Sequence, residues 1–401
     1  MSGTEHVHLA IALDGTGWHP ASWREPGARP GELLSAGFWL DQVREAEAGL
    51  LDLVTFEDAM ALQSAHPLRP DQRTDQVRGR LDSVLVAARV APLTRHIGLV
   101  PTAIVTHTEP FHASKSIATL DYVSTGRAGV RVRVSGRPDE AALFGRRPAP
   151  TLDRSRPDDP GLVELFAEAA DYVEVMRRLW DSWEDDAEIR DAATGRFVDR
   201  DKLHYIDFSG PWFSVRGPSI TQRPPQGQPI VAALAHRTVP YRLLARSADL
   251  GFVTPRDLDH LAAILAEVRA EQAAAGRADE ALHLWGDVLV FLDEDAAAAA
   301  ARKARLDERA GAELRSDALI FTGTPAELAD LVLAWQAAGL SGVRLRPGAT
   351  AHDLPLITRG LVPELQRRGA FRTAYTEDTR TGSTLRARLG MARPANRYAT
   401  A

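Results

Sequence analysis

The stretch "ALDGTGWHPASWREPG", Ala12 to Gly27, follows directly on the apolar, β-branched run Val7–Leu13. A plain connector favours small polar residues, yet this one carries Trp18, His19 and Trp23. Bulky rings on the loop that leaves a strand mark it as a wall around something. The loop leads into a helical pattern over Glu32–Gly49, with Gly49 placed to end it at the C′ position. Strand, elaborate loop and helix together make one βα unit.

Working outward, the unit recurs. Strand-like runs are expected at Leu51–Phe56, Ile97–Val105, Gly129–Val134, Pro229–Leu234, Leu250–Val253, Leu284–Leu292 and Val343–Leu345. Helical patterns follow or separate them at Leu81–Leu93, Pro110–Val123, Leu162–Trp183, Tyr241–Ser247, Leu258–Ala275, Ala296–Ala310, Ala326–Ala338 and Leu356–Gly369. Eight strands with intervening helices and no linker predict one α/β domain over 1–401, a (β/α)8 TIM barrel. An open dinucleotide sheet is disfavoured, because "GTG" at 15–17 leads into Trp18-His19-Pro20 and not into a helix. The Gly-, Pro- and aromatic-rich segment 185–228 is too long for a plain connection. It is expected as an insertion before strand five, packed near the mouth of the barrel. Residues 371–401 form an arm with one short helix, Thr384–Leu389. Its Leu385, Leu389 and Met391 have no evident core to join, which predicts docking on a second copy and a homodimer or homotetramer.

Composition narrows the function. The 401 residues carry a net charge of −6, so no basic face for nucleic acid or anionic lipid is implied. There is no cysteine, which excludes disulfides, thiolate metal sites and thiol nucleophiles. No signal peptide or membrane-length apolar run is evident, so a cytoplasmic protein is expected.

In a TIM barrel the chemistry sits at the C-terminal ends of the strands. Those ends hold Trp18 and His19, Glu57 and Asp58, Thr102 to His107, Arg131 to Ser135, His236 and Arg237, and Arg344 with Arg346. Histidines and arginines therefore converge on one rim. "HVH" at 6–8 precedes the first strand and belongs to the opposite face, so no metal site is expected. No Gly-x-Ser-x-Gly elbow occurs. Glu57 and Asp58 could suggest a carboxylate pair, but neighbours on a strand point to opposite sides, so only one can face the pocket.

The order of motifs adds a family. "GWHPASWREP", "LLDLVTFEDA", "RHIGLVPTAIVTHTEPFHASKSIATLDYVSTGRAGVRVRVS", "VEVMRRLWDSWEDDA", "GPWFSVRGPSITQRPPQGQPIV" and "LVPELQRRGAFRTAY" together resemble the luciferase-like flavin monooxygenases. The nearer branch is that of the nitrilotriacetate, dibenzothiophene-sulfone and long-chain-alkane enzymes. The resemblance implies a barrel holding reduced FMN in its mouth, where O2 and a small-molecule substrate react, with a separate flavin reductase supplying the cofactor. It further implies Asp58 near the pyrimidine and ribityl side, Thr102 under the ring, and Ser135 at the end of strand four. Trp18 and His19 are the expected catalytic pair, and Trp18, Trp23 and Pro20 the dry wall.

Departures from the family pattern bear on the cofactor. The family's strand-four asparagine falls at Arg131, its phosphate-binding histidine and tyrosine at Leu162 and Phe166, and its "Ala-Gly-Ser-Ser" at Leu234-Ala235-His236-Arg237. The flavin phosphate is then expected at the Ala235–Arg237 loop, where His236 and Arg237 replace lost hydrogen bonds with charge. Two alternatives stay open: the deazaflavin F420 as cofactor of an oxidoreductase, and a non-catalytic luciferase-like partner subunit.

Overall fold

The computed structural model describes residues 6–64, 66, 69–153, 155–375 and 384–399. Eight parallel strands close on themselves: β1 His8–Leu13, β2 Leu53–Phe56, β3 Gly98–Ile104, β4 Gly129–Arg133, β5 Ile230–Ala235, β6 Leu250–Val253, β7 His283–Leu292 and β8 Gly342–Pro347. β8 pairs with both β1 and β7, and β6 with β7, which completes the ring. Helices flank it, among them α1 Ala36–Ala48, α2 Ser83–Val90, α3 Pro110–Val123, α4 Pro160–Asp181, α5 Thr238–Ser247, α6 Leu258–Ala274 and α7 Ala296–Ala310. The expected TIM barrel is the observed one, and α3 and α7 start and stop where the sequence pattern placed them.

A ninth strand, Leu319–Gly323, was not expected. It pairs with Val288–Leu292, the half of β7 that extends beyond β6. The run is short and half-buried, so it lacks the apolar signature of its neighbours. Its consequence is local: it brings Asp317 to the rim.

Inside the barrel, residues alternate in and out with the period-two pleat. The lowest inward layer is apolar, with Leu53, Val100, Ile230, Phe252 and Trp285 in one buried cluster. Two sequence expectations are corrected at this end. Leu385 and Leu389 of the arm are buried in that same cluster, at 0% and 2% exposure, so they plug the bottom of their own barrel. The short helix Leu385–Arg388 is held by Leu385 N–H donating to Gly126 O (2.8 Å) and by Arg386 Nε donating to Gln228 O (2.9 Å). The arm therefore gives no argument for a second copy. Residues 376–383 of the expected arm lie outside the described residues.

The 185–228 insertion also lies at this end and not at the mouth. It connects the C-terminus of α4 to the N-terminal end of β5, and both face the bottom. Arg223 Nε donates to Asp181 Oδ1 at the end of α4 (2.9 Å), and Gln226 N–H donates to Asp121 Oδ2 at the end of α3 (3.1 Å). Arg393 of the arm grips Asp185 with two bonds of 2.6 and 2.7 Å. The mouth is instead bordered by residues 134–153, which include a short helix at Pro138–Phe144.

Gly98 explains how the plug sits so close. A Cβ there would lie 2.7 Å from Leu385 Cδ1, so the strand must be bare at that point. Leu385→Ala leaves a void in a closed layer and should cost about 2–5 kcal/mol of stability. Urea unfolding of the two proteins checks this; a loss below about 1 kcal/mol would mean that the arm is not part of the core.

Candidate active site

Above the apolar layer the inward positions become charged. On β8 these are Arg344 and Arg346, on β7 Asp287, on β4 Arg131, and Glu57 immediately follows β2. Arg344 and Asp287 face each other in register and form a paired contact, with Nε to Oδ1 3.0 Å and Nη2 to Oδ2 2.9 Å. Arg344 Nη1 reaches Glu57 Oε1 at 3.4 Å, and the other Glu57 oxygen takes a very short contact from Arg131. Arg346 joins Asp287 to Asp317, the latter at 2.7 Å. Arg344 is 0% exposed and rests over the Phe252 ring at 4.5 Å. The result is an unbroken chain of six charges across the barrel: Arg131, Glu57, Arg344, Asp287, Arg346 and Asp317.

The chain sets its own protonation. Burial alone would raise the Glu57 carboxyl, but Arg131 and Arg344, helped by Arg133 and Arg346, outweigh it and hold the group down at about 2. Burial pushes the Arg131 guanidinium down to about 10, against the pull of Glu57. Both remain charged at neutral pH.

Above this layer a cavity of about 420 Å³ opens at the mouth, within the range of cofactor sites. The β1 loop folds over it. Trp18 lies on the Arg346 guanidinium at 4.5 Å from the ring centroid and donates Nε1–H to Ala12 O (3.3 Å). Gly17, at φ +137, is required there, because a Cβ would stand 2.5 Å from Gly348 O. A second cavity of about 420 Å³ lies beside it, and Ser64, Arg133 and Arg137 line both.

The expected residues separate into groups. Trp18 and His19 line the mouth, but the His19 nitrogens are both engaged. Nδ1 accepts from Ala21 N–H (3.0 Å) and Nε2 bonds Asp307 Oδ1 (3.0 Å), while burial pushes the imidazole below its ordinary value against the pull of Asp307. His19 thus fastens the loop to α7, and both nitrogens of the expected catalytic imidazole are taken up by these contacts. Trp23 donates to Asp75 O (3.0 Å) and is not part of the cavity wall. The second indole of the mouth is Trp39 on α1.

Asp58 is turned away. Its carboxylate accepts from the backbone N–H of Ala59 (2.8 Å) and of Ser83 (2.9 Å) at the start of α2. The pleat makes Glu57 the inward acid, and its two oxygens are taken by Arg131 and Arg344. Thr102 points inward, but its hydroxyl donates to Phe56 O (2.7 Å) and accepts from Arg131 Nε (3.0 Å). Ala235 belongs to β5 and packs outward in the core, and its neighbour Leu234 faces the mouth. Ser135, His236 and Arg237 do come together, lining the second cavity with Leu162 and Phe166.

The site is thus the mouth of a closed (β/α)8 barrel with a charged floor, two indoles in its wall and an adjoining arginine-lined cavity. Residues 22–342 match the family described as luciferase-like monooxygenase, and the chain belongs to that family. It is 29% identical to the nitrilotriacetate monooxygenase component A of Aminobacter aminovorans, over 100% of this chain and 99% of that one. It is 28% identical to the N-acetyl-S-(2-succino)cysteine monooxygenase of Bacillus subtilis (strain 168), over 99% of each. Among solved structures, a riboflavin lyase solved with modified FMN and riboflavin superposes with a TM-score of 0.82 at 23% identity, covering 98% of this chain and 97% of that one.

The ionic chain generates a pH prediction. Removing one member of a buried pair leaves its partner uncompensated, so Glu57→Ala should cost about 3–5 kcal/mol. Because the Glu57 carboxyl lies near 2 in the fold and near 4.5 in the free chain, its contribution is complete above about pH 4.5 and is lost as pH falls towards 2. Urea unfolding across that range should show the stability gap between wild type and Glu57→Gln narrowing on acidification. A gap that stays constant down to pH 2.5 contradicts the pairing.

Proposed function

We propose that this chain is the oxygenase component of a two-component monooxygenase, taking reduced FMN from a separate flavin reductase and using O2 to oxygenate a small organic substrate. The observation that carries the reading is the pair of adjoining cavities at the C-terminal mouth, in a member of this family. The donor set fits the cofactor. On its far side the second cavity presents Arg237 with Ser135 and His236, donors suited to a phosphate. It also adjoins the start of α5, where a helix N-terminus favours an anion.

Reduced flavin, when bound, supplies the activation of O2; the protein binds, orients and shields. Arg237 and Ser135 would hold the phosphate, replacing the hydrogen bonds that Leu162 and Phe166 cannot make. Trp18 and Trp39 would wall the ring and keep water out. The ionic chain beneath fixes the floor, so the mouth is shaped before the cofactor arrives.

A charge-assisted contact contributes about 1.5–3 kcal/mol. Arg237→Ala should therefore weaken FMN binding by about one to two orders of magnitude, while riboflavin, which lacks the phosphate, binds both proteins alike. Quenching of tryptophan fluorescence gives both affinities. Equal FMN affinity in the two proteins would remove Arg237 from the phosphate site, and a wild type that takes up no FMN would overturn the function.

A further inference from the structure

Five arginines line the mouth cavity, Arg80, Arg131, Arg133, Arg137 and Arg346, against three carboxylates, Asp14, Glu57 and Asp317. The chain as a whole is acidic at −6, so this surplus is local. Four of the five are neutralised by a carboxylate at short range. Arg131 is paired with Glu57, Arg346 with Asp287 and Asp317, Arg80 with Asp14 at 2.8 Å, and Arg137 with Asp139 at 2.6 Å.

Arg133 is different. Its Nη1 donates to the backbone oxygen of Asp58 at 2.5 Å, and no carboxylate lies within ion-pair distance of it among the described residues. It is half-buried, it stands at the top of β4 on the same inward face as Arg131, and it lines both cavities. Arg137, four residues on, lines both as well. A half-buried guanidinium without a counter-charge, aimed into a cavity, is a site waiting for an anion. Its planar fork suits a carboxylate or another oxyanion.

We infer that Arg133 is the substrate-recognition residue of this enzyme, and that the substrate is a small organic anion bearing a carboxylate. The flavin phosphate is assigned to the far side of the second cavity, at Arg237, which leaves Arg133 at the junction facing the mouth. Trp18 and Trp39 offer the substrate's carbon skeleton an apolar contact, while the ionic chain below repels nothing because its charges cancel. Calling the anion a substrate rests on the monooxygenase reading; the binding of the anion does not.

The test is a titration of the full chain, saturated with FMN, by calorimetry. The probes are succinate, citrate and, as the neutral control, succinamide. Wild type should bind at least one carboxylate and not succinamide. Arg133→Gln should weaken that binding at least about tenfold, Arg133→Lys should recover part of it, and both should keep FMN affinity within about twofold. If Arg133→Gln instead weakens FMN but not riboflavin, the arginine serves the flavin phosphate and the inference is overturned. It is equally overturned if FMN-loaded wild type binds neither carboxylate, or if the variant binds them as well as wild type. Should wild type take up no FMN, the same titrations run without it: carboxylate binding lost in Arg133→Gln then upholds the anion site while the oxygenase reading fails.

Discussion

The contact on which the rest depends is the one between Arg344 and Asp287, both wholly buried, with Glu57 and Arg131 on one side and Arg346 and Asp317 on the other. Six charges in a barrel interior are expensive unless each is paired and hydrogen-bonded. Here every charge has a partner on a different strand or loop, so the pairing ties β2, β4, β7 and β8 together with the Asp317 loop. It also divides the interior. Below lies an apolar layer plugged by Leu385, and above lies an open mouth. A TIM barrel ordinarily fills its centre with branched apolar side chains; a polar middle layer leaves a floor that is both rigid and wettable.

From that floor the mouth follows. Arg346 carries the Trp18 ring, so the β1 loop is anchored by the ionic layer, and His19 fastens the same loop to α7. Indole and imidazole on that connector are therefore used differently: one forms the wall and the other holds the wall in place. Arg131 engages the Thr102 hydroxyl and the Glu57 carboxylate, while Arg133, one inward step higher, lines both cavities with no carboxylate at ion-pair distance among the described residues. On the proposed reading, substrate, cofactor phosphate and floor use different arginines on one rim.

The barrel was legible because its signal is repeated: eight apolar runs and the helices between them leave little choice of topology, and both ends of α3 and α7 are marked by residue type. The site was legible to the level of strand ends and no further. Glu57 and Asp58 are adjacent, and only the register of β2 decides which faces inward. His19 shows the same limit, since Asp307, which ties up its Nε2, is 288 positions away in sequence. The insertion was assigned to the wrong end because its composition resembles that of an active-site loop. Its place between a helix and the following strand, which topology alone puts at the bottom, was the better guide. The arm was misjudged because a barrel's open lower end is invisible in a strand count. Arg133 was within reach of sequence reasoning, two residues from Arg131 on the same face, but its missing counter-charge is a property of the folded surroundings.

The central claim is that the mouth accepts reduced flavin. Anaerobic equilibrium dialysis of the full chain against FMN, reduced and oxidised in parallel, tests it most directly. The account predicts one reduced FMN per chain, bound in the micromolar range (about 8 kcal/mol) and more tightly than the oxidised form. Absence of binding in both redox states, with the protein folded, would contradict it.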